Sequence, residues 1–490
     1  MKVQVLSAIM SYGKSTSAIK MISSEPDNFY FVMLPYLDEV KRYQCEEKGA
    51  NQYLPEGNKL VEPCDEKTTK SQDLLNILKQ RQGSVVTTHA MFENLTQEHF
   101  NSIKNLPMRR GEKVLVLDET IDLVKPVNDN RLSSKALQAD VENEYIIVNE
   151  DTGKVQWNSC KEFEGNQGAY HHHEHLKNLC DTGMLYFIEG RYVVMEVSIN
   201  FLECFDRVLV LTYRWESSIM ANYLKVQGVD AEILDLDEDR VLDIYKYIAD
   251  HLVIPDDYSI EEYRLSKEGM KNNVGPIRSE INKHIKQAMR DYEIGLDETL
   301  FTTFKNPDGE STIDWLKTVK IGQSTKLDSQ GKEVPACFLS HTTLGTNEYR
   351  HCRLMVYGLD KRIQPAVQSY FSRNGSSMPA AEWELSSLIQ WLFRGCIRDQ
   401  QSGKEMIAVI LCPRMRKMAQ DWLEGIKRQV REGKVAKASE AISIDSKTRR
   451  TKMQQFNKWK KNNPGGESFS FDDYLIYGGP KLKRMLKEAA

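Results

Sequence analysis

The first two dozen residues constrain this chain more tightly than any other stretch. An apolar run, KVQVLSAI from Lys2 to Ile9, leads into the small-residue loop Ala8-Ile-Met-Ser-Tyr-Gly-Lys-Ser-Thr16. SAIKMI follows with helical spacing. Strand, loop, Gly-Lys-Ser and helix is the order that a phosphate-binding loop requires. Backbone N–H groups and the helix N-terminus cradle phosphates, Lys14 supplies a point charge at the β- and γ-phosphates, and the Ser15 hydroxyl reaches Mg²⁺. The candidate nucleotide-binding set is therefore Ser11, Tyr12, Gly13, Lys14, Ser15 and Thr16. The strict GxxxxGK pattern asks for glycine at position 8, where Ala8 stands.

Such a loop needs a partner that holds the metal. VLVLDET, from Val114 to Thr120, is four apolar residues running into two carboxylates. That reads as a buried parallel strand with Asp118 and Glu119 at its C-terminal end, where open α/β sheets bind ligands. Asp118 would hold Mg²⁺ with Ser15, and Glu119 would orient and deprotonate an attacking water. A core strand ending in an exposed acidic turn would use the same letters. The pairing with Gly13-Lys14-Ser15 upstream, in the right order, favours the chemical reading.

Strand-and-helix units fill the space between and beyond these anchors. Phe29–Leu34 runs into Pro35-Tyr36-Leu37 and a charged helix, and Ser84–Phe92 carries Thr87, Thr88 and His89. Arg207–Tyr213 carries Thr212 and is followed by a helix from Glu216. Alternation of this kind implies βαβ units in a parallel sheet. Residues of about 125–203 separate two of these strands as an insertion. Its cluster His171-His-His-Glu-His175 lacks a Cys or Asp pattern to complete a metal set, so a polar helix start is expected there.

The pattern restarts near Asp235. Strands are expected at Leu252–Ile254 and Ala336–Leu339, with the helix SEINKHIKQAMRDY between them, and again at Leu354–Tyr357 and Met406–Leu411. The turn Ser340-His-Thr-Thr-Leu-Gly-Thr-Asn-Glu-Tyr-Arg350 precedes the third of these. Leu385 to Arg398 has helical periodicity: Leu385, Leu388, Leu392 and Cys396 form one stripe, and Gln390, Arg394 and Arg398 fall four apart on another face. Past Lys434, basic residues from Lys447 to Lys487 are interleaved with Phe456 and Trp459. Phosphate contacts with base stacking, or a solvated amphipathic helix, would both suit those letters.

Length and composition fit two or three domains. The chain has 490 residues, 40% hydrophobic and 28% charged, with a formal net charge of −4. A motor on a phosphate backbone needs only a local basic groove, so that balance excludes little. No run of about 18 apolar residues suggests a membrane span, and the N-terminus does not read as a secretory signal. Nine dispersed cysteines read as reduced thiols in a cytoplasmic compartment.

Taken in order, LPYLDEVKRY, VVTTHAMF, VLVLDET, VLTYRWESS, LGTNEYR and LSSLIQWLFRGCIR resemble the motif series of DEAD/DEAH-like superfamily 2 helicases, and most of all those encoded by bacteriophages and mobile elements. The resemblance runs from the first residues to about residue 425. Its loop variant A-x-x-G-x-G-K-[ST] accommodates Ala8, with Ser11 in the place of the first glycine.

The resemblance implies an α/β fold of two RecA-like lobes with parallel sheets. The first would span 1–234 with the insertion, the second 235–432, and a basic C-terminal extension 433–490. It implies ATP and Mg²⁺ as cofactors, a single-stranded or forked DNA track, possible replication or recombination partners and no membrane. Backbone contacts would come from Pro35, Tyr36, Thr87, Thr88, His89, Thr343, Thr346, Asn347 and Arg350. Gly345 would line the nucleotide, Thr212 would couple the two sites, and Gln390, Arg394 and Arg398 would reach the γ-phosphate. The family more often spaces those arginines three apart; here they are four apart, which leaves open which is the finger. A terminase-like packaging ATPase, or an ATPase switch that binds nucleic acid without unwinding, stays open beside this reading.

Overall fold

The computed structural model describes the chain except residues 67, 109, 128, 162–166, 305–324, 328–332, 344–346, 436–457 and 464–490. The first lobe begins with β1 (Lys2–Ser7) and α1 (Lys14–Ser24), then β2 (Phe29–Leu34), α2 (Leu37–Gln44), β3 (Leu60–Val61) and α3 (Lys70–Gln80). It continues through β4 (Ser84–Thr88), α4 (Gln97–Lys104) and β5 (Lys113–Asp118). Within the insertion lie β6 (Val124–Pro126), α5 (Ser134–Glu142), β7 (Ile146–Val148), β8 (Val155–Trp157), α6 (Gln167–Asp181), β9 (Leu185–Ile188) and β10 (Tyr192–Glu196). The lobe closes with β11 (Arg207–Thr212), α7 (Ile219–Val226) and β12 (Ala231–Ile233).

Its seven strands run in the order β12-β1-β11-β5-β2-β4-β3, and every pairing is parallel. β2 is buried along its whole length, as its unbroken run FYFVML requires of a strand covered on both faces. Parallel register puts all the strand ends on one rim: Ser7 lies opposite Thr212, Leu211 opposite Asp118 and Leu34 opposite Thr88. β11 separates the loop strand β1 from the carboxylate strand β5, which opens a gap between their ends.

The insertion is a small antiparallel unit. β6, β10 and β9 form one sheet and β7–β8 a hairpin, and α5 and α6 pack around a separate core that includes Leu137, Ile146, Leu176 and Phe187.

The second lobe contains α8 (Glu238–His251), β13 (Leu252–Val253), α9 (Lys267–Asn272), α10 (Val274–Asp291), β14 (Thr299–Thr302), the hairpin β15 (Thr325–Leu327) and β16 (Glu333–Pro335), and β17 (Leu354–Tyr357). After these come α11 (Pro365–Arg373), α12 (Ala380–Leu392), β18 (Met406–Ile410) and α13 (Pro413–Glu432). Its sheet is parallel, in the order β13-β18-β17-β14. The fold is thus α/β with two parallel-sheet lobes, of the RecA-like kind expected.

Two expectations about the second lobe need correction here. Ala336–Leu339 is not a strand. It is a turn that lies along β14, exchanging backbone hydrogen bonds with Phe301 at 2.8 and 3.0 Å. The strand is Thr299–Thr302, whose four letters, TLFT, are too short to show a period. The second correction concerns the arginine segment. α12 ends at Leu392, so Gln390, Arg394 and Arg398 do not share a helical face and Cys396 does not extend its stripe. Gly395 lies extended, and a Cβ there would stand 2.8 Å from the Met355 sulfur and 2.9 Å from that of Met406. The chain turns because it must pass between these side chains, and Cys396–Arg398 forms a 3₁₀ turn instead.

The two lobes share packing. Ala366, Val367, Tyr370 and Phe371 of α11 join the buried cluster of the first lobe. The Tyr370 hydroxyl donates to buried Glu196 at 2.6 Å.

Candidate functional site

Between β1 and α1 the backbone takes two left-handed steps, Ser11 at φ 67° and Gly13 at φ 88°. At Gly13 a side chain would also meet the Arg240 guanidinium, 2.7 Å from the added Cβ. α1 starts with no side-chain cap, so its first N–H groups face the loop interior. Lys14 is 8% exposed, and its Nζ donates to the Ala8 carbonyl at 2.8 Å. Burial lowers its pKa, Glu119 and Asp118 act against that, and Arg398 and Arg394 reinforce it.

Ser15 and Asp118 come together across the gap: Ser15 Oγ donates to Asp118 Oδ2 at 2.8 Å. Burial first, and then Glu119, pushes the Asp118 carboxyl up to about 6, against the Ser15 hydrogen bond and the Lys14 charge. Glu119 stands in left-handed backbone at φ 75°, held by its N–H to the Leu211 carbonyl at 2.8 Å. Thr212 Oγ1 donates to Glu119 Oε2 at 3.1 Å. The hydroxyl at the end of β11 therefore sets the orientation of the carboxylate that would work on water.

The second lobe brings its arginines to the same place. Arg394 is 5% exposed, has no ion-pair partner among the described residues, and its Nε has no hydrogen-bond partner. Burial and then Arg398 lower its pKa to about 10, while Glu119, Tyr36 and Glu39 act to raise it. Burial and then Arg350 lower that of Arg398, whose backbone carbonyl accepts from Ser11 Oγ at 3.0 Å. Lys14, Asp118 and Glu119 of the first lobe and two arginines of the opposite lobe thus lie close enough to shift one another's charge. A buried guanidinium costs several kcal/mol unless compensated, so this donor set fits an oxyanion. The site suits a nucleoside triphosphate with Mg²⁺: Lys14, Arg394 and Arg398 would hold its phosphates, and Ser15 and Asp118 its metal.

The remaining predicted residues distribute unevenly. Pro35 and Tyr36 are half-buried at the end of β2, and Tyr36 lies near enough to Arg394 to affect its charge. Thr87 is buried in β4 and Thr88 half-buried at its end. His89 turns inward beside the Met33 and Asp118 carbonyls, and burial lowers its pKa to about 4, so its ring is neutral. Thr343 and Asn347 are half-buried and Arg350 exposed, near Arg398. Gln390 is half-buried on α12. Gly345, Thr346 and most of the basic C-terminal extension lie outside the described residues.

Four residues at the site were not singled out from the sequence. Tyr43 on α2 is fully buried, its hydroxyl beside Ser15 and Asp118. Glu39 and Arg42 pair at 2.9 Å, and Arg42 reaches Thr16 at 3.4 Å. The i,i+3 charges of α2 were a usable signal. Arg240, on the first helix of the second lobe, stacks over Tyr12 at 4.9 Å, and nothing in its sequence neighbourhood announces that.

Residues 240–423 match the family model described as the YonV C-terminal Rossmann-like domain. The chain is 28% identical over 451 residues to the SPbeta prophage-derived uncharacterized protein YonV of Bacillus subtilis (strain 168), covering 86% of this chain and 99% of that protein. Among solved structures, an apo XPD chain is similar at 13% identity and TM-score 0.46, with 86% of this chain and 95% of that one covered. An XPD helicase is similar at 12% identity and TM-score 0.40, covering 88% and 90%. The helicase MrfA, solved bound to DNA and AMPPNP, is similar at 12% identity and TM-score 0.36, and the chain spans about half of it: 88% of this chain matches 48% of that one.

Proposed function

We propose that this protein is an ATP-dependent motor on nucleic acid, a helicase or translocase of the superfamily 2 type acting on single-stranded or forked DNA. One observation carries the reading: Arg394, from the second lobe, is buried without a neutralising carboxylate partner among the described residues, beside Lys14 and Glu119 of the first. A cation held in that way across a cleft has use for an anion that arrives and leaves, and its binding would draw the lobes together.

In this reading bound Mg-ATP supplies a phosphoanhydride whose γ-phosphoryl group can pass to water. Lys14 and the α1 N–H groups hold the phosphates. Glu119, kept in place by the Thr212 hydroxyl, orients the water and takes its proton. Arg394 and Arg398 stabilise the charge that develops, which ties turnover to lobe closure. Pro35, Tyr36, Thr88, Thr343, Asn347 and Arg350 would contact the nucleic-acid backbone in this reading, and so would Thr346, with Gly345 at the nucleotide. The prophage-derived relative supports a phage setting, in which replication or recombination is the natural use.

Lobe closure makes a direct demand on binding. A fluorescent single strand should bind at least about fivefold differently with a non-hydrolysable ATP analogue than with ADP. Equal affinity in both states, or no binding at all, would contradict the motor and favour a packaging-type or switch ATPase.

A further inference from the structure

Away from the cleft, the insertion brings three ligand-bearing side chains together. Asp140 lies on α5, and His172 and His173 on α6. Their ligand atoms all fall within 4.8 Å of one another. His172 Nε2 stands 2.9 Å from Asp140 Oδ2, and His173 Nε2 stands 3.5 Å from Asp140 Oδ1. Adjacent helix positions point about 100° apart, so two neighbouring imidazoles meet at one place only if both side chains swing towards it. Here both do. No Asp pattern accompanies the histidine cluster in the sequence because the carboxylate comes from a different helix, 32 residues upstream of His172.

The surroundings are those of a built site. Asp140 and His173 are each 6% exposed. Among the described residues Asp140 has no lysine or arginine partner, so imidazoles alone face a buried carboxylate. The Tyr145 ring lies 4.0 Å from the His173 ring, centre to centre, and Trp157 lies 6.0 Å away on the same side. Aromatic packing buttresses the His173 imidazole, and His172 beside it is half-buried.

We propose that Asp140, His172 and His173 bind a divalent transition-metal cation, zinc by chemistry, and that this ion cross-links α5 to α6. Two imidazole nitrogens and a carboxylate suit Zn²⁺, with ligand distances of about 2.0–2.2 Å and water in the remaining position. The set is too rich in nitrogen for Mg²⁺ or Ca²⁺ and lacks the thiolates of a soft-metal site. The insertion has only a small core of its own, and small units commonly depend on a metal for stability. The cluster belongs to the separate core of the insertion, so the ion's proposed part is to hold α5 against α6.

The test uses the full chain, purified without chelator, loaded with Zn²⁺, desalted and assayed for metal per chain by mass spectrometry. Co²⁺ loading is read in parallel by visible absorption. The expected result is about one zinc per chain in the wild type and at least about tenfold less in His172→Ala and Asp140→Asn. Cys64→Ser, at an exposed position outside the cluster, should retain the full amount. Because Asp140 is buried and its variant can lose structure for other reasons, His172→Gln is the second variant, at a half-buried position. It should keep the far-UV circular dichroism of the wild type while losing the metal and the cobalt bands. A folded wild type that retains no zinc overturns the proposal, and so does zinc retained equally by His172→Ala and His172→Gln.

Discussion

The Ser11 hydroxyl donates to the Arg398 carbonyl at 3.0 Å, so the loop of one lobe and the arginine turn of the other are in direct contact. That single bond crosses the cleft at the place where phosphates would lie. It ties the loop that carries Lys14 to the turn that carries Arg398.

Lys14→Ala should abolish hydrolysis, by about a hundredfold or more, since it removes the buried charge that faces the phosphates. Steady-state phosphate release checks this. Wild-type turnover from the variant would remove the basis for a phosphate loop.

Glu119→Gln should still bind nucleotide but turn over about 10²- to 10⁴-fold more slowly, because the amide cannot take the proton from water. Thr212→Val should give a smaller fall in kcat, with KM nearly unchanged, since it frees the Glu119 carboxylate without removing it. A change confined to KM would contradict the positioning role of Thr212.

Arg394→Ala should cut kcat by about a thousandfold with a much smaller loss of nucleotide affinity, as removal of an arginine finger does. Arg398→Ala should do less, because its backbone carbonyl, which contacts Ser11, remains. Single-turnover kinetics beside equilibrium binding separate the two effects. The reverse ranking would assign the finger to Arg398.

Acid should weaken Mg²⁺ use. The Asp118 carboxyl is raised to about 6 in the folded protein, so metal-dependent hydrolysis should fall as pH drops through that value, and excess Mg²⁺ should move the fall to lower pH. For stability the sign is opposite to that of a salt-bridged carboxylate. With the folded pKa above the unfolded one, the native state binds more protons, and this group's contribution is lost as pH rises towards about 6. Asp118→Asn should therefore be more stable than the wild type at pH 7, by up to about 3 kcal/mol, and melt at a higher temperature, while being inactive. A lower melting point would contradict the burial argument.

Arg414 bridges Asp360 and Glu384 inside the second lobe, its Nε 2.9 Å from Asp360. Arg414→Ala would strand two buried carboxylates and should cost about 3–5 kcal/mol, read as an earlier urea transition.

What was legible in the sequence was whatever depends on local order. The loop around Lys14 and the strand ending in Asp118-Glu119 are contiguous segments whose letters carry their chemistry. Their register across β11 is set by long-range pairing, which no local pattern encodes. The arginines were visible as residue types, but the helix was not: periodicity ran on past Gly395 because the obstacle there is the packing of Met355 and Met406. The short strand Thr299–Thr302 is less apolar than Ala336–Leu339, which lies against its edge as a turn, so composition alone points to the wrong segment. Arg240 over Tyr12 and Asp140 beside His172 are meetings of distant segments, and only the folded chain brings them together.

The most direct measurement of the central claim is the ATPase rate of the full chain with no nucleic acid, single-stranded DNA, duplex DNA and single-stranded RNA, with Glu119→Gln as the blank. Strong stimulation by single-stranded DNA, absent from the blank, is the predicted result. A rate that is indifferent to all three nucleic acids would contradict a nucleic-acid motor.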